Sequence, residues 1–289
     1  MGISFKEVTH KYPGLKRKEF TLALDNINLD INSKGEFVAI VGKTGSGKST
    51  LIQHMNGLLL PTYGVVEVFD NKITPKERKN PNLKKVRKRI GFVFQFPEYQ
   101  LFEETVLKDI MFAPKNFGLK EDEAKKKAIE VAKMLHIEDL LDKSPFNLSG
   151  GQMRKVAIAG ILAYEPDIIL LDEPTRGLDP KGQIEIMDLF DKIQKETNKT
   201  IILISHDMDL VYHRATRVVA MKDSRIVYDG NKVDLFKSDK YKECNLVKPN
   251  VLDLIDYLNE KLNYNLDYNT FTLEELIEKI SNKGDISHE

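Results

Sequence analysis

The sequence predicts an α/β protein whose core is a parallel β-sheet, and three observations predict it. Short apolar stretches, EFVAIV at 36–41 and DIILLD at 167–172, have the length and composition of strands buried on both faces. A helix is predicted over 181–196, and the apolar strand TIILIS follows at 200–205. This alternation implies right-handed βαβ crossovers. With 289 residues, 41% of them hydrophobic, the chain can bury a large core.

The remaining elements of the main domain, which we assign to residues 1–235, surround that sheet. Residues 3–10 and 24–31 alternate polar and apolar side chains, which predicts half-buried antiparallel strands. A helical subdomain is predicted over about 96–165, where EDEAKKKAIEVAKML and SGGQMRKVAIAGILAYE have helical spacing. RVVAMK and RIVYDG predict a closing hairpin. Other predicted elements are a helix at 48–59 and strands at 65–70 and 90–95.

A C-terminal extension, residues 236–289, has a different pattern of two short amphipathic helices. Thr272 is the predicted N-cap of the second helix, with Glu275 three residues later. Short helices with apolar stripes need a surface to cover them, so we expect the extension to contribute to a dimer contact. The stripes consist of Val251, Leu254, Ile255, Leu258 and Leu262, then Leu273, Leu276, Ile277 and Ile280.

Charge and cysteine content exclude some classes of function. The 44 basic and 44 acidic residues balance, so net charge gives no argument for a nucleic-acid partner. The single cysteine, Cys244, cannot form an internal disulfide. No apolar run approaches the ~18–20 residues that span a bilayer. If the protein serves a membrane, we expect it to act at the surface.

A phosphate-binding loop is predicted at 42–50, GKTGSGKST, directly after a buried strand and before a helix. The glycines let backbone N–H groups surround a phosphate, Lys48 places charge on the β- and γ-phosphates, and the hydroxyl of Ser49 is a ligand for Mg²⁺. The expected nucleotide contacts are Gly42, Lys43, Thr44, Gly45, Ser46, Gly47, Lys48, Ser49 and Thr50.

The buried strand IILLD ends in the carboxylate of Asp172, and a second carboxylate, that of Glu173, follows directly. In P-loop proteins the Asp at this point, here Asp172, holds Mg²⁺. Glu173 follows it and can orient or deprotonate an attacking water. Nucleotide kinases and GTPases share these features, so these two motifs leave several classes of P-loop enzyme open.

A second glycine-rich helix start, LSGGQ at 148–152, distinguishes between these classes of P-loop enzyme. Its free N–H groups suit an anion, although the chain already has one phosphate loop. Between a P-loop and an LLDE strand, LSGGQ resembles the signature sequence of ABC-type ATPases, over about residues 3–235. The resemblance implies a P-loop NTPase core of the RecA-like kind, an antiparallel β subdomain and two domains paired head to tail. It implies that a partner's ATP contacts Ser149, Gly150, Gly151 and Gln152.

The resemblance also assigns roles to single residues. Tyr12 matches the aromatic that stacks on adenine, and Gln95 matches the glutamine at the metal site that senses the membrane subunit. Asp179, in GLDP, matches the key residue of the loop that crosses the dimer interface. His206 matches the switch histidine at the γ-phosphate. Arg176 departs from the small residue common in the family, and we expect it not to harm hydrolysis.

The segment after Gln95, FPEYQLFEETV, resembles the second of two paralogous ATPases in energy-coupling factor transporters, which import vitamins and transition-metal ions. The resemblance implies ATP hydrolysis with Mg²⁺ at the cytoplasmic face of the cell membrane, by a peripheral subunit. Implied partners are a second ATPase subunit (in a heterodimer, or a homodimer in isolation), a transmembrane scaffold and a membrane-embedded substrate-capture subunit.

Two alternatives remain open at this point. The chain could serve another ABC importer or exporter, or it could be a non-transport ABC ATPase that acts on nucleic acid. The stretch KERKNPNLKKVRKR at 76–89, with eight Lys or Arg and one Glu, is interpreted as a solvated helix face. Contact with anionic lipid is the lesser alternative for that stretch. One P-loop, one cysteine and no heptads argue against the nucleic-acid class.

Overall fold

The structure, a computed structural model, describes residues 2–14, 19–75, 82–238, 240–270 and 272–284. The chain divides into two compact units. The first comprises the residues up to Glu36 together with Ser49–Ile204, and the second comprises Phe37–Lys48 and the residues from Ser205 onward. The predicted boundary at residue 235 stays a prediction.

The secondary structure follows the predicted α/β order. The strands are β1 (Ile3–Pro13), β2 (Phe20–Ile31), β3 (Phe37–Val41), β4 (Tyr63–Val68), β5 (Asn71–Ile73), β6 (Ile90–Val93), β7 (Ile168–Asp172), β8 (Thr200–Ile204), β9 (Arg217–Lys222) and β10 (Arg225–Asn231). The helices are α1 (Lys48–Met55), α2 (Leu83–Arg89), α3 (Val106–Asn116), α4 (Glu121–Met134), α5 (Gly150–Leu162), α6 (Pro180–Thr197), α7 (Met208–Arg214), α8 (Lys232–Lys237), α9 (Lys240–Glu243), α10 (Asn250–Leu262) and α11 (Leu273–Gly284).

The first unit contains an antiparallel sheet with the strand order β2-β1-β4-β5. In its register Ile3 lies opposite Ile31 on one side and Val68 on the other. All three side chains are fully or almost fully buried, because period-two alternation turns the apolar residues of each strand to one face. The half-buried antiparallel strands predicted near the N-terminus are confirmed.

Three parallel strands, β6, β7 and β8, lie side by side in the same unit, with Ile168 of β7 opposite Ile90 of β6 and Thr200 of β8. Their side chains are buried, apart from Asp172 at the end of β7. Parallel strands end at the same edge of a sheet, so the residues that follow β6 and β7 are close to each other. This edge positions Gln95 beside Glu173.

The predicted helical region of the first unit consists of α3, α4 and α5. They pack through small and branched side chains, among them Ile110 of α3, Ala128 of α4 and Ile158 of α5, each of which is fully buried. Within the basic stretch, α2 buries Val86 and exposes Lys84 and Lys85 among other residues, as the interpretation of a solvated helix face predicts. Residues 76–81 of that stretch lie outside the described residues.

The second unit pairs β3 in parallel with β9, and β9 forms the predicted antiparallel hairpin with β10. The C-terminal helices pack on α7 of the same unit. Asn250, at the start of α10, donates its backbone N–H to Oδ1 of Asp209 over 2.7 Å. The hydroxyl of Tyr212 donates to the carbonyl of Tyr268. Thr272 caps α11 by accepting from the backbone N–H of Glu275, as predicted.

Three details differ from the sequence prediction. Helix α1 ends at Met55, not at residue 59, because Asn56 accepts from the N–H of Leu58 and Gly57 has φ +67°. The short helices α7, α8 and α9 were not predicted. In α10 the buried face includes Leu252, and Leu254 and Leu262 of the predicted stripe remain exposed. No helix among the described residues is long and apolar enough to cross a membrane.

Candidate functional site

The phosphate loop lies between β3 and α1, and its glycines meet a steric requirement. Gly42 has φ +141°, and a Cβ there would lie 2.2 Å from the carbonyl oxygen of Met221, so no other residue fits. Lys48 is 6% exposed, and its Nζ donates to the carbonyls of Gly42 at 2.8 Å and Lys43 at 3.0 Å. The Oγ of Ser46 is buried and has no hydrogen-bond partner among the described residues. An orphaned hydroxyl in a glycine loop fits a phosphate ligand.

Two oxygen atoms of the kind that bind divalent cations lie together in the first unit. The Oγ of Ser49 is 3.5 Å from Oδ1 of Asp172, at the end of β7. Hydroxyl and carboxylate oxygens suit Mg²⁺, which takes few protein ligands and keeps water and phosphate oxygens for the rest. No cluster of three or more His, Cys, Asp or Glu side chains that could hold a metal occurs in the described part of the chain. This donor set therefore fits a magnesium ion shared with a nucleotide.

The carboxylate of Glu173 is held by two donors. Gln95 Nε2 donates to Glu173 Oε2 over 2.9 Å, and Arg176 Nη1 donates to the same oxygen over 3.1 Å. The backbone of Glu173 has φ +47°, a left-handed conformation that costs ~1–3 kcal/mol for a residue with a side chain. Its N–H donates to the carbonyl of Ile204 at the end of β8. Strain of this kind clusters at functional sites, where the surrounding structure fixes a side chain.

The contact between Arg176 and Glu173 involves the residue, Arg176, at which the sequence departs from the family pattern. Arg176 is 58% exposed and Glu173 is 19% exposed at the side chain. Exposed pairs contribute ~0–1 kcal/mol, so solvent or a ligand can replace this one with little loss of stability. The hydrogen bond from Gln95 to the same carboxylate oxygen remains when the Arg176 contact is lost.

Tyr12 lies near the end of β1, with its ring 37% exposed. Its hydroxyl is 3.3 Å from the hydroxyl of Thr50 on α1. The ring is therefore positioned beside the helix that follows the phosphate loop and keeps a surface that a planar base can contact.

The signature LSGGQ forms the start of α5, and a reciprocal cap closes it. Ser149 Oγ accepts from the N–H of Gln152, and Gln152 Oε1 accepts from the N–H of Ser149. A Cβ added at Gly150 or Gly151 would meet nothing within 4 Å among the described residues, so their backbone faces open space. A cavity of about 300 Å³ lies between this helix start and Asp179, which caps α6.

A buried guanidinium that the sequence analysis did not identify joins three of these segments. Arg154 of α5 is 3% exposed, and its Nε and Nη2 donate to the two carboxylate oxygens of Glu98, at 3.1 and 2.9 Å. Its Nη1 also donates to the carbonyls of Pro174 and Arg176, which follow Glu173. A fixed bidentate fork of this kind is a geometry that only arginine supplies. The signature helix is thus tied to the segment after Gln95 and to the segment after Glu173.

An apolar groove of about 320 Å³ begins beside Gln100 and runs along α3 and α5. We call it the α3–α5 groove; its aromatic lining comes from Phe92, Phe102, Phe112, Phe117 and Tyr164. Asp109 at its rim accepts the backbone N–H groups of Phe102 and Glu103, at 3.4 and 3.1 Å. Burial raises the pKa of Asp109, and these two hydrogen bonds oppose that shift.

The structure thus brings several predicted residues into contact within the first unit: Ser49 with Asp172, Gln95 with Glu173, and Tyr12 with Thr50. Gly42–Lys48 and His206 belong to the second unit. His206 is exposed there, between the buried Ser205 and Asp207, which caps α7.

Comparison with known proteins gives consistent results. The sequence profile of the family described as "ABC transporter" matches residues 24–176. The chain is 46% identical to the energy-coupling factor transporter ATP-binding protein EcfA2 of Clostridium tetani, over 98% of this chain and 99% of that protein. It is 49% identical to the EcfA2 of Ligilactobacillus salivarius, over 97% of this chain and 96% of that protein.

Solved structures agree with the fold. CbiO1 of Clostridium perfringens, described as part of the ABC transporter complex cbiONQ, matches with a TM-score of 0.72 and 38% identity, over 90% of this chain and 95% of its own. The ATP-binding cassette MJ0796, a dimer in a post-hydrolysis state with ADP and Pi, matches with a TM-score of 0.69 and 35% identity. That match covers 79% of this chain and 98% of the MJ0796 chain.

Proposed function

This chain belongs to the ABC transporter family, within its energy-coupling factor ATP-binding proteins, and on that premise we propose that its ATP hydrolysis drives uptake of a vitamin or a transition-metal ion. The chain is an ATP-binding subunit and an ATPase. The observation that carries the transport proposal is the hydrogen bond from Gln95 to Glu173. It connects the proposed hydrolytic base to the segment that leads into the α3–α5 groove.

For hydrolysis, each residue has one proposed task. Lys48 and the N–H groups of the loop bind the phosphates, and Tyr12 stacks on adenine. Ser49, Asp172 and Gln95 would hold Mg²⁺, which would supply positive charge to the phosphates of the nucleotide. Glu173 accepts the proton of the attacking water, and Gln95 orients its carboxylate. His206 contacts the γ-phosphate. The oxygen ligands and the orphaned hydroxyl of Ser46 support this assignment.

The second glycine-rich helix start serves a partner's ATP in this proposal. Open backbone at Gly150 and Gly151, beside the cavity that reaches Asp179, leaves room for a phosphate brought by another subunit. The MJ0796 cassette is a dimer, which supports a paired arrangement. The proposed partner is a second ATPase subunit, in a heterodimer or, for the isolated chain, a homodimer.

Coupling to a membrane follows from the α3–α5 groove. Its aromatic lining suits the apolar face of a helix, and we assign it to a cytoplasmic helix of a transmembrane scaffold subunit. Substrate capture belongs to a separate membrane-embedded subunit, and the chain itself is peripheral, at the cytoplasmic face of the cell membrane. The names of the relatives, which are transporter subunits, support this placement.

Co-purification tests this function. We expect the wild-type chain, expressed with the genes of its own transporter, to be recovered with an integral membrane protein that has ATP-dependent uptake activity. Phe112→Asp places a charge in the α3–α5 groove, where Phe112 is 44% exposed, so the fold should tolerate it. That variant should bind ATP normally and lose the membrane partner.

A matched exposed change outside the groove, Phe146→Asp, controls for added charge, since Phe146 is 65% exposed. Recovery of the chain on nucleic acid, with no membrane protein, would contradict the transport proposal. Equal recovery of the scaffold by both variants would contradict the assignment of the groove.

The C-terminal helices carry a second proposed contact, with the other ATPase subunit. Their uncovered apolar residues form what we call the C-terminal apolar surface: Leu254, Tyr257, Leu262, Leu273 and Ile277. Truncation would also remove Val251 and Ile255, which are buried in the second unit, so point changes give the cleaner test.

Leu262→Glu combined with Ile277→Glu should weaken subunit pairing, because both side chains are more than half exposed and a charge there does not disturb the packed core. Analytical ultracentrifugation measures the dimer dissociation constant. Glu260→Gln on the same helix is the control and should leave it unchanged. If the double variant pairs with wild-type affinity, the C-terminal apolar surface does not form the contact between the two ATPase subunits.

A further inference from the structure

Three aromatic rings form a continuous row from the exposed Tyr12 into the interior of the first unit. Tyr12 and His10 lie two residues apart on β1, so both point to the same face. Their ring centroids are 4.6 Å apart, with an interplanar angle of 75°. The ring of His10 contacts that of His54 on α1 in the same edge-to-face manner, at 4.7 Å and 76°. His10 is 8% exposed and His54 is fully buried.

Hydrogen bonds fix both imidazoles. His10 Nδ1 lies 3.0 Å from the carbonyl oxygen of Leu60, and His54 Nδ1 lies 2.7 Å from that of Thr50. A carbonyl can only accept, so Nδ1 carries the proton in both rings. Thr50 also contacts the Tyr12 hydroxyl, at 3.3 Å. The row of rings is therefore anchored at both ends to the same helix, α1.

The buried end of the row is chemically unusual. The Nε2 atom of His54 is also buried, and the backbone carbonyl of Leu60, which accepts from His10, lies near the His54 ring as well. Burial lowers the pKa of His54 to about 4 and also lowers that of His10, so both rings are neutral at neutral pH.

We propose that His10 and His54 are positioning residues for the base of ATP, because their rings set the plane of the Tyr12 ring on which adenine stacks. The proposal rests on the proposed function, in which Tyr12 binds adenine. Neither histidine touches the nucleotide.

Binding measurements on the intact chain test the role of the ring. His54→Leu removes the ring and keeps an apolar side chain, and it should raise the Kd for ATP about two- to tenfold, the effect of one aromatic pair. Binding of inorganic tripolyphosphate, which has no base, should be unchanged, as should kcat at saturating ATP. His54→Phe restores an aromatic edge and should return the ATP Kd toward the wild-type value. If His54→Leu fails to fold, His10→Leu is the substitute variant and should give the same result.

A double-mutant cycle with Tyr12 separates this proposal from the proposed function. Tyr12→Ala should weaken ATP binding, and adding His54→Leu should then have no further effect. If Tyr12→Ala weakens binding but the His54 effect remains in full, the positioning role is wrong and the adenine assignment stands. If Tyr12→Ala leaves the ATP Kd unchanged, both the assignment of Tyr12 to adenine and the positioning role of the histidines are wrong. Equal weakening of ATP and tripolyphosphate in His54→Leu would mean that the residue only supports α1, which also overturns the proposal.

Discussion

Glu173→Gln should bind ATP with wild-type affinity and lose turnover by ~10²–10⁴-fold, the usual contribution of a general base. The amide keeps the shape of the carboxylate and can still accept from Gln95, but it cannot accept a proton from water. The strained backbone at Glu173 is unaffected by this change, so the fold should be preserved. Steady-state phosphate release, measured in the complete complex, together with ATP binding, tests the prediction.

A matched Glu→Gln change controls for the lost charge. Glu196, on the exposed surface of α6, pairs weakly with Lys192 at 4.0 Å. Glu196→Gln should leave turnover unchanged. Near-normal hydrolysis by Glu173→Gln would exclude Glu173 as the base and leave Asp172, bonded to Ser49, as the remaining carboxylate of that edge.

Lys48→Ala and Ser149→Arg should damage different sites of one heterodimer. Lys48→Ala should abolish ATP binding at the loop of this chain, because the buried ammonium supplies charge-assisted bonds to the phosphates. Ser149→Arg should leave that loop able to bind ATP. It should instead block closure over the partner's nucleotide, because a bulky side chain then lies where backbone must approach phosphate. Nucleotide trapping with each loop labelled separately distinguishes the two sites.

Ser149→Thr is the control for the signature, since it keeps the hydroxyl that caps α5. It should trap nucleotide at both sites. The assignment to a partner's ATP fails if Ser149→Arg empties this chain's own loop and spares the other. Full-rate hydrolysis by a monomer would contradict it as well, because the second helix start would then have no second molecule to serve.

Motifs that are continuous in the chain could be predicted from sequence because local geometry determines them. The phosphate loop follows from glycine spacing, and the cap of α11 follows from Thr272 and Glu275, three residues apart. The apolar strands of the parallel sheet were predictable for a similar reason, since burial on both faces requires a continuous apolar run.

Contacts between distant parts of the chain could not be predicted in this way. Arg154 and Glu98 are 56 residues apart, and charged side chains are usually solvated. The row from Tyr12 to His54 depends on the position of β1 against α1, which no local pattern specifies. The burial of Leu252 could not be predicted for a similar reason: periodicity identifies an amphipathic helix, but not which further residue the contact of α10 with α7 buries.

The buried Arg154–Glu98 pair has a consequence for the transmission of force between the proposed membrane partner and the sheet edge that carries Glu173. Removing one member of such a pair typically costs ~3–5 kcal/mol, because the other charge is left uncompensated. Loss of this pair should therefore be far more costly than loss of the exposed contact between Arg176 and Glu173. A helix that displaces Glu98 must carry the signature helix with it, together with the carbonyls of Pro174 and Arg176. A displacement of the segment after Gln95 would thus move the start of α5 and the turn after Glu173 together.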